Sequence, residues 1–396
     1  MLAKTRRAKW LPPAENIQTQ AARPAAPPLM PNDQAHASGG EKPMTTNLQT
    51  DVELPGAPPD SVQRLVSRRQ SVLIFQLDGK IPNIACMRIA EHHKQLGDEV
   101  KFRWTGSPER ELWDKPDVVY ASAIFEKSRP VVDKLRESFP AAITGGTGVD
   151  VASNLEAHGI TTTRQDYSLY PNWRQSIGFT QRGCRLKCSF CVVPRKEGAI
   201  REEQTVWELW RGDPWPRELI LLDNDFFGQP NWRKRVEEMR AGKFKVSFNQ
   251  GINARFLTDE AAEAAASVDY RDDSMKSKRI YTAWDNRKDE ERLMAGLNRL
   301  VKYGVKPDHI MVYILVGYWP GETEDDRLYR WKKLRDFGAR PYPMPFERTK
   351  ELLGFQRWIV GAYDKRFSWA DWKAADYRPE NLHATEAANT EVSHER

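Results

Sequence analysis

GCRLKCSFC, residues 183–191, holds three of the four cysteines in a chain of 396 residues. Thiols crowded at spacings of four and three residues cannot staple distant elements together, and four cysteines in so long a chain do not make a disulfide framework. The spacing points instead to a metal or cluster site in a reducing compartment. Just before it stands QSIGFT, which reads as a short strand, and after it the apolar runs ELILLD, FKVSFN, RIYTAW and HIMVYILVGY follow in turn. Helical segments separate them: PNWRKRVEEMRA, TDEAAEAAASV opened by Thr258, RKDEERLMAGLNRLVKYG closed by Gly304, and TEDDRLYRWKKLRDFG closed by Gly338. This succession of strand and helix units over 166–345 describes a parallel barrel or part of one. In such folds chemistry gathers at the carboxyl ends of the strands, and the cysteine loop follows the first of them.

A second α/β region lies upstream, over 67–165. SVLIFQLD suits a buried strand, Pro82 the first turn of a helix running to Gly97, and EVKFRW a second strand. DVVYASAIF reads as a third strand, RPVVDKLRESF as a helix, and AAITGGTG as a strand entering a glycine-rich loop. Strands alternating with helices indicate a parallel sheet, here a small doubly wound, flavodoxin-like domain. Residues 1–66 are rich in Pro, Ala, Gln and Thr without apolar periodicity and read as a flexible leader. Residues 346–396 read as a helical extension that covers the barrel, ending in a polar tail.

Hydrophobic content of 40% with 29% charge suits a folded chain. No apolar run approaches the roughly 20 residues that span a bilayer, and no apolar segment follows the basic residues at the N-terminus, so a cytoplasmic protein without a membrane partner is expected. Of the formal charge of +6, +4 falls in the first thirty residues, where Lys4, Arg6, Arg7, Lys9 and Arg23 face only Glu15. The rest of the chain is nearly balanced, so the charge argument for a nucleic-acid partner is weak.

Structural zinc takes four protein ligands. The fourth cysteine, Cys86, lies in an apparent helix of the upstream domain, and the seven histidines show no ligand spacing relative to the loop. Iron–sulfur clusters are held by closely spaced thiolates, ordinarily four for a four-iron cube. Three thiolates leave one iron open to a small molecule.

Cys184-x3-Cys188-x2-Cys191, with Phe190 before the last thiol, resembles the CxxxCxxC signature of the radical S-adenosylmethionine superfamily, in which this loop follows the first strand of a partial (β/α)6 barrel. The resemblance covers about 170–345 and extends more loosely back to about 70, toward the branch with an N-terminal cobalamin-binding-like domain. It implies a 4Fe-4S cluster on Cys184, Cys188 and Cys191, with S-adenosylmethionine on the open iron. It further implies reductive cleavage to a 5'-deoxyadenosyl radical that acts on a substrate the sequence does not name, fed by an electron donor of flavodoxin or ferredoxin type. Asp223, Asn224 and Asp225 occupy the place of the family's Gly-Gly-Glu run after the second strand. Asn249, Gln250, Gly251, Arg255, Asp285 and Gly317 fall in segments resembling its third, fourth and fifth strand motifs. Plainer readings stand beside these: Asp223 and Asp225 as strand-end and capping residues, Arg255 as an ion-pair partner, Gly317 as a turn glycine.

For the upstream domain, the family's DxHxxG cobalamin loop corresponds to LDGKIPN, where Lys80 takes the histidine position, so cobalamin ligated by histidine is doubtful. GGTGVD, 145–150, suits either a phosphate or a sharp turn. A methyltransferase, or a methylthiotransferase-like enzyme acting on RNA, remains an alternative within the superfamily, although Cys86 alone cannot hold the latter's second cluster. Outside it, the alternative is a zinc-binding protein that meets nucleic acid through its leader.

Overall fold

SVLIFQ forms β1 (Ser71–Gln76), the first strand of a sheet whose two faces are both covered. Val72 and Ile74 pack with Cys86, Ile89 and Ala90 of α1 (Ile84–Gln95), whereas Leu73 and Phe75 point to the other face and meet Val132 and Leu135 of α2 (Arg129–Ser138). A strand buried on both faces has no polar face to show, hence the unbroken apolar run. β2 (Glu99–Trp104), β3 (Val118–Ser122) and β4 (Ile143–Gly145) complete a four-stranded parallel sheet in the order β2-β1-β3-β4. The first helix begins after Pro82, not at it: Asn83 is its N-cap and accepts from the Cys86 amide.

The computed structural model describes residues 68–382, so the leader and the end of the polar tail lie outside the described residues. The cysteine loop sits between β5 (Ser176–Gly178) and β8 (Glu218–Leu221), a parallel pair. Its base is tied by a small antiparallel ribbon of β6 (Gln181–Arg182) and β7 (Arg201–Glu202), with short helices α3 (Val193–Lys196) and α4 (Val206–Leu209) between these elements. From β8 the chain alternates: α5 (Trp232–Ala241), β9 (Lys245–Phe248), α6 (Asp259–Ser267), β10 (Asp269–Tyr270), β11 (Ile280–Ala283), α7 (Glu290–Lys302), β12 (Ile310–Val316), α8 (Glu324–Phe337) and β13 (Arg340–Pro345).

β10-β9-β8-β5 form one parallel sheet and β11-β12-β13 another. The Ile252 amide, just beyond β9, donates to Tyr281 O of β11 at 2.8 Å, which links the two. The expected caps are present: Thr258 accepts from the Ala261 amide, and Gly338 ends α8 in the left-handed conformation. The helices bury their apolar faces in one large core, into which α9 (Lys350–Val360) and α10 (Trp369–Ala374) insert Phe355, Trp358, Trp369 and Trp372. The molecule is thus mixed α/β with parallel sheets. Among the described residues no helix is long and apolar enough to cross a membrane.

Candidate functional site

Gly183 opens the cysteine loop with φ +83°, and a Cβ there would run into the Ala199 carbonyl on the returning side of the loop, so only glycine closes its neck. Arg182 braces the same neck through Glu197 at 3.1 Å and Glu203 at 3.0 Å. Within the loop the Cys191 amide donates to Cys188 O, the Leu186 amide to Cys184 Sγ at 3.4 Å, and the Val193 amide to Cys191 Sγ at 3.4 Å. Amides aimed at sulfur suit thiolates. Burial pushes all three thiols up, Cys191 to about 12, so in the free protein they hold their protons and a cation must displace them. The Arg255 guanidinium opposes that rise at Cys188.

The three cysteines line one cavity of about 80 Å3 together with Phe190, Asn224, Gln250, Gly251, Arg255 and Asp285. Among the described residues no three His, Cys, Asp or Glu side chains are placed to hold a metal ion between them. A cube takes one thiolate per iron and spaces them more widely than a single ion does. The donor chemistry fits such a cluster, since three free thiols line the cavity.

The other sequence candidates divide by what they touch. Asp223 is buried and accepts from the Thr180 amide at 2.7 Å and from its hydroxyl, tying the end of β8 to the end of β5; burial pushes its carboxyl up to about 7. Asp225 is buried with Arg185 Nε 2.8 Å from Oδ2, but the contact is poorly aligned and neither carboxylate oxygen has a hydrogen bond. Burial raises this group too, with Arg185 opposing. Its neighbourhood includes Cys184.

Asn249 holds half-buried Asp273 through Nδ2 at 2.9 Å and accepts from Gln250 Nε2 at 2.7 Å, so it orients Gln250 rather than facing the thiols. Gly251, at φ +82°, lies close against the Tyr281 carbonyl. Arg255 does ion-pair, with Asp289 at 2.7 Å, yet it also faces Cys188. Asp285 is partly buried, its carboxyl pushed up to about 6 by burial against the pull of Arg255 and Arg330. Gly317 makes a turn at φ +78° and donates to Glu322 Oε2, and the segment it starts closes on the cysteine loop. Tyr318 donates to Ser189 Oγ at 2.9 Å, and Phe190 packs edge-on against Tyr318 and Trp319.

Among the other cavity residues, Thr282, Tyr313, Leu315 and Met344 escape sequence reading. β12 is buried at every position, so its pattern does not mark which side chains face the site. Arg185, inside the cysteine loop, and Asp273, in the turn between β10 and β11, are also unforeseen. Compared with family models, with curated proteins and with solved structures, the chain matches none.

Proposed function

We propose that the chain is a radical S-adenosylmethionine enzyme, with an iron–sulfur cluster on Cys184, Cys188 and Cys191. The observation that carries this reading is the meeting of a CxxxCxxC trio with Asn224, Gln250, Gly251, Arg255 and Asp285, from three other strand ends, around one cavity. A partial (β/α)6 barrel over 166–345 is supported by six strands, β5, β8, β9, β11, β12 and β13, that pair in parallel and follow chain order. A flavodoxin-like first domain over 67–165 is supported by the order β2-β1-β3-β4.

Held by Cys184, Cys188 and Cys191, a cluster would supply the electron for reductive cleavage of the sulfonium nucleotide and so the radical chemistry at substrate. The chain's part is to hold charge and exclude water. Arg255 offsets the thiolate at Cys188, Asn224 offers an acceptor for an ammonium group, and Phe190, Tyr318 and Trp319 close the loop side against solvent. An electron donor of flavodoxin or ferredoxin type is the required partner.

Anaerobic reconstitution followed by dithionite turnover tests this. Wild type should bind iron and acid-labile sulfide, absorb broadly near ~400 nm, and release deoxyadenosine; Cys188→Ala should do none of these. A colourless zinc-loaded protein, or full deoxyadenosine yield from Cys188→Ala, would exclude the reading. Release of S-adenosylhomocysteine would move it to the methyltransferases.

A further inference from the structure

A second cavity, of about 860 Å3, lies between the carboxyl ends of the first sheet and those of β5 and β8, and Gln250 lines both it and the cysteine cavity. Its volume is within the range of small-molecule sites. Ile81, Ile84, Ile124, Phe179 and Leu222 give it an apolar wall.

Its charges do not balance: six lysines and arginines line it against four carboxylates. Those carboxylates are engaged already. Asp78 accepts from the amides of Ile124 at 2.8 Å and Phe125 at 2.9 Å, Glu156 holds Arg88 at 2.8 Å, and Glu197 and Glu203 hold Arg182. Lys196 and Lys80 are left with no carboxylate within ion-pair reach among the described residues.

Lys196 is the more informative, because it is half-buried and its ammonium has only the Ser153 carbonyl as partner, at 2.8 Å. The Ser153 hydroxyl in turn packs against Gly145, so this ammonium stands beside the loop Gly145–Thr147. Gly146 has φ +99° there, and the amides of Gly146 and Thr147 and the Thr147 hydroxyl have no hydrogen-bond partner among the described residues. A half-buried cation grouped with three unused donors calls for a group rich in acceptor oxygens. Burial also lowers the Lys196 ammonium from its ordinary range, a cost that a bound anion offsets.

We propose that this cavity binds the substrate of the enzyme, an elongated molecule with an apolar body and a terminal phosphate. The phosphate lies at Lys196, Gly146 and Thr147, and the reacting end lies at Gln250. The position of the reacting end rests on the radical reading above; the phosphate site does not.

Inorganic pyrophosphate is the probe, titrated calorimetrically into the full chain. Saturable binding is expected, weakened about tenfold or more in Lys196→Gln, weakened less in Thr147→Val, and retained in Lys196→Arg. Cys188→Ala should bind pyrophosphate as wild type does, so loss of radical chemistry and loss of this site are read separately. No saturable binding, equal binding by wild type and Lys196→Gln, or one-to-one uptake of hydroxocobalamin that pyrophosphate cannot displace overturns the proposal.

Discussion

Replacing Asp223 isolates the contact that fixes where the cysteine loop starts. Thr180 is fully buried three residues before Gly183, and its amide and hydroxyl both end on the Asp223 carboxylate, which also receives the Gln181 amide. In Asp223→Ala the Thr180 amide is left buried without an acceptor, and a second donor must turn elsewhere. At about 1–3 kcal/mol for each stranded group, the expected loss is roughly 2–6 kcal/mol. Asp223→Asn keeps one acceptor oxygen and should lose about 1–2 kcal/mol. The titration gives a second, signed readout. Burial raises the folded carboxyl from 3.8 to about 7, so the folded chain holds a proton that the unfolded chain releases. The stabilisation from that proton is complete below the unfolded value and is lost as pH rises through about 7. The advantage of wild type over Asp223→Asn should therefore shrink between pH 5 and pH 8, by up to about 3 kcal/mol at 1.36 kcal/mol per unit. Urea unfolding followed by tryptophan fluorescence at the two pH values measures it. An advantage that stays flat or grows with pH, or an Asp223→Ala loss below about 1 kcal/mol, would refute the account.

Arg330 is buried, donates to the carbonyls of Trp284 at 3.2 Å and Leu315 at 2.9 Å, and pairs with buried Glu322, which holds the Gly317 amide. Arg330→Ala should cost about 3–5 kcal/mol by leaving Glu322 charged and unpaired, and adding Glu322→Gln should recover part of it; a fully additive double mutant in urea unfolding would show that the two are uncoupled. Gly183→Ala meets both a left-handed backbone and the Ala199 carbonyl. It should lose at least about 1–2 kcal/mol and fail to take up iron on reconstitution, and a variant with wild-type melting temperature and iron content contradicts that placement.

Most of the elements are legible in the sequence because each declares itself locally. The apolar runs of β1, β8, β9 and β12 and the caps at Thr258 and Gly338 depend on near neighbours in the chain. β13 escapes for the converse reason. Its sequence, RPYPMP, places proline at 341, 343 and 345, each a missing ladder donor, and so reads as loop. It is a strand nonetheless, at the edge of its sheet, where one side of the backbone needs no partner, and Pro341, Pro343 and Pro345 stand opposite Val312, Ile314 and Val316. The β6–β7 ribbon is missed because two residues per strand carry no period.

At the site the same division appears within three consecutive residues. Asp223, Asn224 and Asp225 follow β8, and sequence alone treats them as one motif. The backbone leaves the pleat there, so strict alternation no longer tells which way each side chain points. Asp223 turns back to the neighbouring strand end, Asn224 faces the cysteine cavity, and Asp225 is buried against Arg185 of the loop itself. What separates them is the position of Thr180 and Arg185, both about forty residues earlier in the chain, and a pattern read along the sequence carries no information at that range. The thiols escape this limit because all three ligand candidates lie within one loop, whose spacing the chain itself sets. The oxygen and nitrogen groups around them come mainly from three other strand ends, and only the folded chain brings those together.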